Sequence, residues 1–351
     1  MIDLYSDTAT KPTTPMRQAI ASADVGDEQR GKDPTVNRLL DMVAKLLGKE
    51  AALFLPSGTM CNGISIKAHT QPGDAILVDH QAHILRSEAG GAGLLSGVIL
   101  VQLPCHRGRF TPDEVIATIP PRSIYAPPAR VLCVEQTHNF AGGTIWPLEE
   151  LAAVYDVAHE HGLVVHMDGA RLLNAVVATD IPAGEYTKFC DSVWIDFTKG
   201  LGAPLGAVLT GSSQFIETAR RYKHMFGGAL RQAGIVAAAC IYALENHVER
   251  MKDDHENARL LADGLETIPG INVETPIETN IVFFNIREAG IAPSDFLAAI
   301  QEHGLSMSSV GNRIRAVTHI DIKRKDAEKA VDVVKTVITS LRRNPSLRSL
   351  P

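Results

Sequence analysis

Apolar residues recur along this chain in two rhythms. Between residues 51 and about 211, short apolar runs at 74–78, 98–103, 130–134, 164–167, 193–197 and 207–209 alternate with stretches such as 148–161, where apolar positions return every three or four residues. The short runs predict strands and the longer period predicts helices. Their alternation predicts an α/β fold in which a mostly parallel sheet carries helices on both faces. Upstream, the first thirty-odd residues mix Pro, Thr, Gly and charge and hold one helical pattern, over 15–23. A surface arm is expected there, although the hydrogen-bonding cluster Ser6-Asp7-Thr8 suggests that it packs across something. Thr35 is the expected cap of a helix running to Leu47, with Val36, Leu39, Leu40, Val43 and Leu47 on one face.

Beyond Ser212 a long helical stretch with few breakers runs to about residue 265, the kind of segment that crosses between domains or packs at a subunit interface. Strands at 280–284 and 313–317 and helices at 293–303 and 325–342 then predict a compact α+β unit. The expected division is residues 1–250 for the arm and large unit and 251–351 for the small one. The tail 346–351 is expected to fray.

Composition narrows the function. With 351 residues, 45% of them hydrophobic, the chain can bury a sizeable core. A net charge of −6 gives no basic footprint for nucleic acid or an anionic membrane. The longest apolar stretch, 233–244, is too short to span a bilayer, and the opening Met1-Ile2-Asp3 reads as structured sequence rather than a leader. Cys61, Cys105, Cys133, Cys190 and Cys240 are widely spaced and form no CxxC pair, which predicts buried thiols in a reducing, cytoplasmic setting and no metal site.

Chemistry gathers where strands should end. Lys199 follows the run 193–197, and Asp168 and Arg171 follow 164–167, with room between them for a connecting segment and a return strand. All three can reach the crevice at the carboxyl ends of an open α/β sheet. A lysine to form an imine and an acid to keep a pyridine nitrogen protonated suggest pyridoxal phosphate (PLP). Ser57, Gly58 and Thr59 follow the apolar run 51–55 and open a helical pattern, so they form either a phosphate cradle or a capped turn. His80 and His83 follow another strand, where an imidazole could stack on a ring, move a proton or simply pack. Arg171 and Arg315 are candidate readers of a substrate carboxylate, and strand alternation puts Arg313 on the same face as Arg315.

Taken in order, SDTATKPT, GKDPTVNRL, FLPSGTMCN, AHILRSEAGG, EQTHN, HMDGARLLNA, TKGLGAPLG, GGALRQAG and IRAVTH resemble the low-specificity L-threonine aldolases of the β-eliminating lyase group, from Ser6 to His319. The resemblance implies the PLP-dependent fold type I, aspartate aminotransferase-like arrangement. It implies Lys199 as the imine-forming lysine, Asp168 on the pyridine nitrogen and His83 on the ring. Ser57, Gly58 and Thr59 would bind the cofactor phosphate, with Arg231 reaching from a neighbouring subunit. Ser6, Arg171 and Arg315 would bind the carboxylate of a small amino acid substrate. The active sites would lie at a dimer interface in a homo-oligomer, usually a tetramer. The implied activity is retro-aldol cleavage of L-threonine or L-allo-threonine to glycine and acetaldehyde.

Four positions depart from the family pattern. Tyr5 and Arg30 look exchanged, which suggests that their side chains share one space. Tyr125 stands where a histidine is usual and His224 where a lysine is usual, and both are expected to line the entrance for the substrate's β-substituent. These changes leave open another outcome at Cα, such as β-elimination, racemisation or transamination, or another substrate such as phenylserine. A non-catalytic role is disfavoured, because it would not require Lys199, Asp168, His83 and residues 57–59 together.

Overall fold

The computed structural model describes residues 1–343, so the expected fraying of 346–351 lies outside the described residues. After β1 (Ile2–Asp3), seven strands build the large sheet: β2 (Ala51–Leu55), β3 (Ala75–Asp79), β4 (Ile99–Leu103), β5 (Ala129–Glu135), β6 (Val164–Gly169), β7 (Ser192–Asp196) and β8 (Ala207–Gly211). Their order is β2-β8-β7-β6-β5-β3-β4. Strands β3 to β7 pair in parallel, whereas β8 runs against both neighbours. Helices cover both faces, so strands inside the sheet read as continuous apolar runs, while β4 at the edge is partly exposed. Successive side chains serve opposite layers. Leu77 packs in the core under helices Pro34–Leu46 and Leu148–Glu160, and Ile76 and Val78 pack with Ile66 of helix Gly58–His69.

The carboxyl-terminal part has its own core. Strands β9 (Asn272–Val273), β10 (Ile281–Asn285), β11 (Leu305–Ser306), β12 (Ser308–Val310) and β13 (Arg313–Val317) follow, and four of them form an antiparallel sheet, β12-β13-β10-β9. Helices Met251–Glu266, Pro293–Glu302 and Arg324–Arg343 bury Leu261, Phe296 and Val334 against it.

Two expectations are corrected, the cap of the helix before Leu47 and the long helix after Ser212. The helix expected to start at Thr35 is capped by Asp33, whose carboxylate accepts from the N–H groups of Val36 (3.0 Å), Gly26 (3.1 Å) and Gly234 (2.8 Å). Pro34, which needs no N–H partner, takes the first helical position. The long helix is three helices, Ser213–Met225, Gly234–Asn246 and Met251–Glu266. Gly227, at φ +76°, ends the first, and the Gly228 N–H returns to the Lys223 carbonyl at 2.9 Å. The arm packs across the carboxyl-terminal unit, as the Ser6-Asp7-Thr8 cluster suggested, while many of its other residues stay exposed. β1 pairs in parallel with β11, Leu4 joins the carboxyl-terminal core, and Asp7 is fully buried.

Candidate active site

A cavity of about 440 Å³ opens at the carboxyl ends of β2, β5, β6 and β7. Ser57, Gly58, Thr59, His83, Asp168, Arg171 and Lys199 all line it, together with Thr8, Glu135, Asn139, Trp194 and Asp196. The parallel topology causes this convergence, because each of those strands delivers its following loop to the same rim.

Lys199 stands three residues past the end of β7, on a turn that passes through Gly200 at φ +70°. Its ammonium pairs with Asp196, whose carboxylate also accepts from the Thr198 N–H (2.7 Å) and hydroxyl (2.6 Å). Burial opposes the lysine charge, but Asp196 outweighs it and raises the pKa. The single acid in an otherwise apolar strand therefore has a defined partner.

Asp168 ends up buried without a cation bonded to it. Its Oδ2 accepts from Asn62 Nδ2 (2.9 Å) and its Oδ1 from the Ala170 N–H (3.1 Å). Burial and the charge of Glu135 raise its pKa against the opposing pull of His83. Asn62 is the hub that the sequence reading missed. Its Nδ2 also donates to Glu88 Oε1 (2.7 Å), and its Oδ1 accepts from Trp194 Nε1 (2.7 Å) and His166 Nε2 (3.1 Å). Glu88 in turn bonds His83 Nδ1 at 2.9 Å. Burial works against a charged His83, yet the Glu88 hydrogen bond and the charges of Asp168 and Glu135 raise its pKa.

At the opposite wall, Arg171 is not free to grip a ligand with its whole fork. Nε and Nη2 donate to Asp7 Oδ2 (2.7 Å) and Oδ1 (2.6 Å), leaving Nη1, which reaches Asn139 Oδ1 at 3.5 Å. Arg315 does not line the cavity but donates through Nη2 to the same Asn139 oxygen at 2.7 Å. Its Nε is buried without a hydrogen-bond partner, and burial with Arg171 nearby lowers its pKa to about 10. Arg313 lies one alternation away, bonded to the Phe140 carbonyl and paired with Glu274.

Several sequence candidates lie elsewhere. Tyr125 is 91% exposed and precedes β5, so it sits at the amino end of a seven-residue parallel strand whose other end faces the cavity. That separation is about 20 Å along the strand. His224 is exposed on the last turn of helix Ser213–Met225, while Lys223, one residue and roughly 100° around the helix, turns inward to pair with Glu28 at 2.6 Å. Neither lines the cavity of this chain. Tyr5 and Arg30 are not brought together. Tyr5 lends its carbonyl to Arg315, and Arg30 lies in the 3-10 turn Glu28–Arg30. Ser6 caps the turn at Asp7 and bonds Thr8 Oγ1 at 2.8 Å. Arg231 is exposed and pairs with Asp27 at 3.2 Å.

The architecture is the fold type I, aspartate aminotransferase-like arrangement found in PLP-dependent enzymes. The description "Beta-eliminating lyase" matches residues 3–289, and the chain belongs to that family. It is 39% identical over 326 residues to the low specificity L-threonine aldolase of Escherichia coli strain K12, covering 93% of this chain and 96% of that one. Among solved structures, a threonine aldolase from Leishmania major superposes with a TM-score of 0.83 at 20% identity, over 96% of this chain and all of that one. The structure of SPT with its PLP internal aldimine superposes at 0.74 and 16% identity, over 97% and 88%. Among the described residues no helix is long and apolar enough to cross a membrane.

Proposed function

We propose that this chain is a PLP-dependent aldolase that cleaves small β-hydroxy-α-amino acids, L-threonine or L-allo-threonine, to glycine and acetaldehyde. The observation that carries the reading is that Lys199, Asp168 and His83 face one cavity whose rim also holds the start of helix Gly58–His69. The cavity fits the cofactor. Asp168 is a buried carboxylate with no cation bonded to it, which suits a protonated ring nitrogen, and Ser57, Gly58 and Thr59 offer a phosphate the positive end of a helix. Lys199 is the amine within reach.

When bound, PLP supplies a carbonyl carbon for amines and a ring that withdraws electrons from the substrate's Cα. Asp168 holds the proton on the ring nitrogen that makes this withdrawal effective, and Asn62 fixes the carboxylate for it. The remaining Nη1 of Arg171 and, behind it, Arg315, which shares the Asn139 oxygen with it, would hold the substrate carboxylate and fix rotation about Cα–N. His83, its Nδ1 held by Glu88, would accept the β-hydroxyl proton as the aldehyde forms and would return a proton to Cα to complete glycine.

The departures at Tyr125 and His224 gave reason to consider another outcome at Cα. Both lie outside this chain's own cavity, so any effect they have on the outcome at Cα would be on a neighbouring subunit's site. The same reading takes residues 1–250 and 251–351 as the two units, supported by the change of core between Met251 and Ala258, and places the protein in the cytoplasm. It also takes the protein as a homotetramer with active sites at a dimer interface. Arg231, exposed and away from this chain's own cavity, would then serve a neighbour's phosphate, and the exposed Leu94 and Met225 offer apolar contact area.

The test is release of glycine and aldehyde from the four threonine stereoisomers and phenylserine. Release from L isomers, abolished in Lys199→Ala, is the expected result. A yellow protein that releases neither product would overturn the aldolase reading and leave the cofactor assignment standing.

A further inference from the structure

Outside the cavity, the ends of two adjacent strands bring together a carboxylate, an imidazole and a thiol. Asp79 closes β3 and His80 follows it, while Cys105 lies two residues beyond the end of β4. The strands pair in parallel with Asp79 opposite Leu103, and the His80 N–H bonds the Leu103 carbonyl at 3.2 Å, so the backbone fixes the approach. Cys105 Sγ lies 3.3 Å from Asp79 Oδ1 and 3.3 Å from His80 Nδ1, and the three atoms are all within 4.8 Å of one another.

We propose that Asp79, His80 and Cys105 form a site for one zinc ion, with water in the fourth position. Tetrahedral zinc, bonded to sulfur at about 2.3 Å and to nitrogen and oxygen at about 2.0 Å, sets its ligand atoms roughly 3.3–3.5 Å apart. The two sulfur separations already approach that spacing. A thiolate, an imidazole and a carboxylate together suit zinc and do not suit calcium or magnesium, which take oxygen ligands.

The surroundings orient the ligands as a metal site requires. Asp79 Oδ1 accepts from the Gln81 N–H at 2.7 Å and keeps a second lone pair, and Oδ2 accepts from the buried His138 Nε2 at 2.8 Å. Gln81 Nε2 lies 3.2 Å from His80 Nε2, and turning the amide over places its oxygen there to accept from Nε2–H, which leaves the Nδ1 lone pair toward the ion. Zinc displaces the thiol proton to solvent as the bond to Sγ forms.

The geometry also supplies a reporter. Cys61, Cys133, Cys190 and Cys240 are buried, and Cys105 alone is partly exposed. Alkylation of the holoenzyme by iodoacetamide, followed by peptide mass, should mark Cys105 first when a chelator is present. Micromolar zinc should slow it at least tenfold, with one zinc retained per chain on dialysis. In His80→Ala, Cys105 should alkylate as fast with zinc as without. An unchanged alkylation rate in the wild-type protein overturns the proposal. So does full protection of Cys105 in His80→Ala, or one zinc still retained by Cys105→Ser.

Discussion

Asp7 and Arg171, 164 positions apart, form a two-point ion pair whose side chains are almost wholly shielded from water. The pair joins the amino-terminal arm to the wall of the cavity. Burial works against charge on Asp7, but Arg171 outweighs it and holds the carboxyl well below its usual range.

Removing one partner should therefore be expensive. Asp7→Ala leaves a buried guanidinium without its counter-charge, which costs roughly 3–5 kcal/mol. Urea denaturation of the variant should show that loss as a lower midpoint with little change in slope. A loss below about 1 kcal/mol would mean that the arm is dispensable to the fold.

Glu88→Gln should lower the pKa of His83. The amide oxygen can still accept from Nδ1, but the negative charge is gone, and burial then weighs more heavily against the imidazolium. Titration of the His83 ring by NMR in both proteins reads the shift directly. An unmoved value would assign the raised pKa to Asp168 and Glu135 instead.

At Gly58 there is no room for a methyl group, because a Cβ would collide with the Trp194 ring. That ring cannot easily retreat while its Nε1 donates to Asn62. Gly58→Ala should cost about 1–3 kcal/mol through overpacking. It should also weaken PLP binding, measured by equilibrium titration of the cofactor, by displacing the first turn of the helix.

Acid should unfold the protein through two neutral histidines. His69 Nε2 meets the Ser192 hydroxyl at 2.9 Å, that hydroxyl meets His166 Nδ1 at 2.9 Å, and His166 Nε2 reaches Asn62. Burial lowers the pKa of His69 to about 4, and burial with the nearby His69 lowers that of His166 to about 3. Above pH 6.5 both rings are neutral in either state. As pH falls from 6.5 toward 4, the unfolded chain takes up protons that the folded protein refuses, so stability declines by about 1.4 kcal/mol per pH unit for each histidine. His166→Gln should remove one histidine's share of that slope, measured by urea denaturation at pH 6.5, 5.5 and 4.5.

Lys199, Asp168 and residues 57–59 were legible because a strand's end is visible as the place where an apolar run stops, and parallel strands deliver such places to one rim. Asn62 and Glu88 carried no comparable signal. Asn62 looks like an ordinary polar residue inside a helix, and its partners lie 26, 104, 106 and 132 positions away. The resemblance located Arg171 but not its engagement, since nothing local ties it to Asp7. Tyr125 and His224 are legible only as positions in a pattern: both are exposed and neither lines this chain's own cavity, and the spacing of motifs does not say which subunit's site an exposed residue serves.

The arm also orders the events of synthesis. Ile2 pairs with Leu305, and the Leu4 carbonyl accepts from the Val317 N–H at 2.9 Å, so a segment made early is secured by one made about 300 residues later. While the large sheet collapses on a growing chain, Asp7 is held by Arg171 and the Gly200 N–H alone, without the strands that anchor the rest of the arm. The arm therefore stays partly unanchored until residue 317 has left the ribosome, and a chain truncated before β11 would carry every large-sheet residue that lines the cavity yet lack the strands that pin the arm beside them.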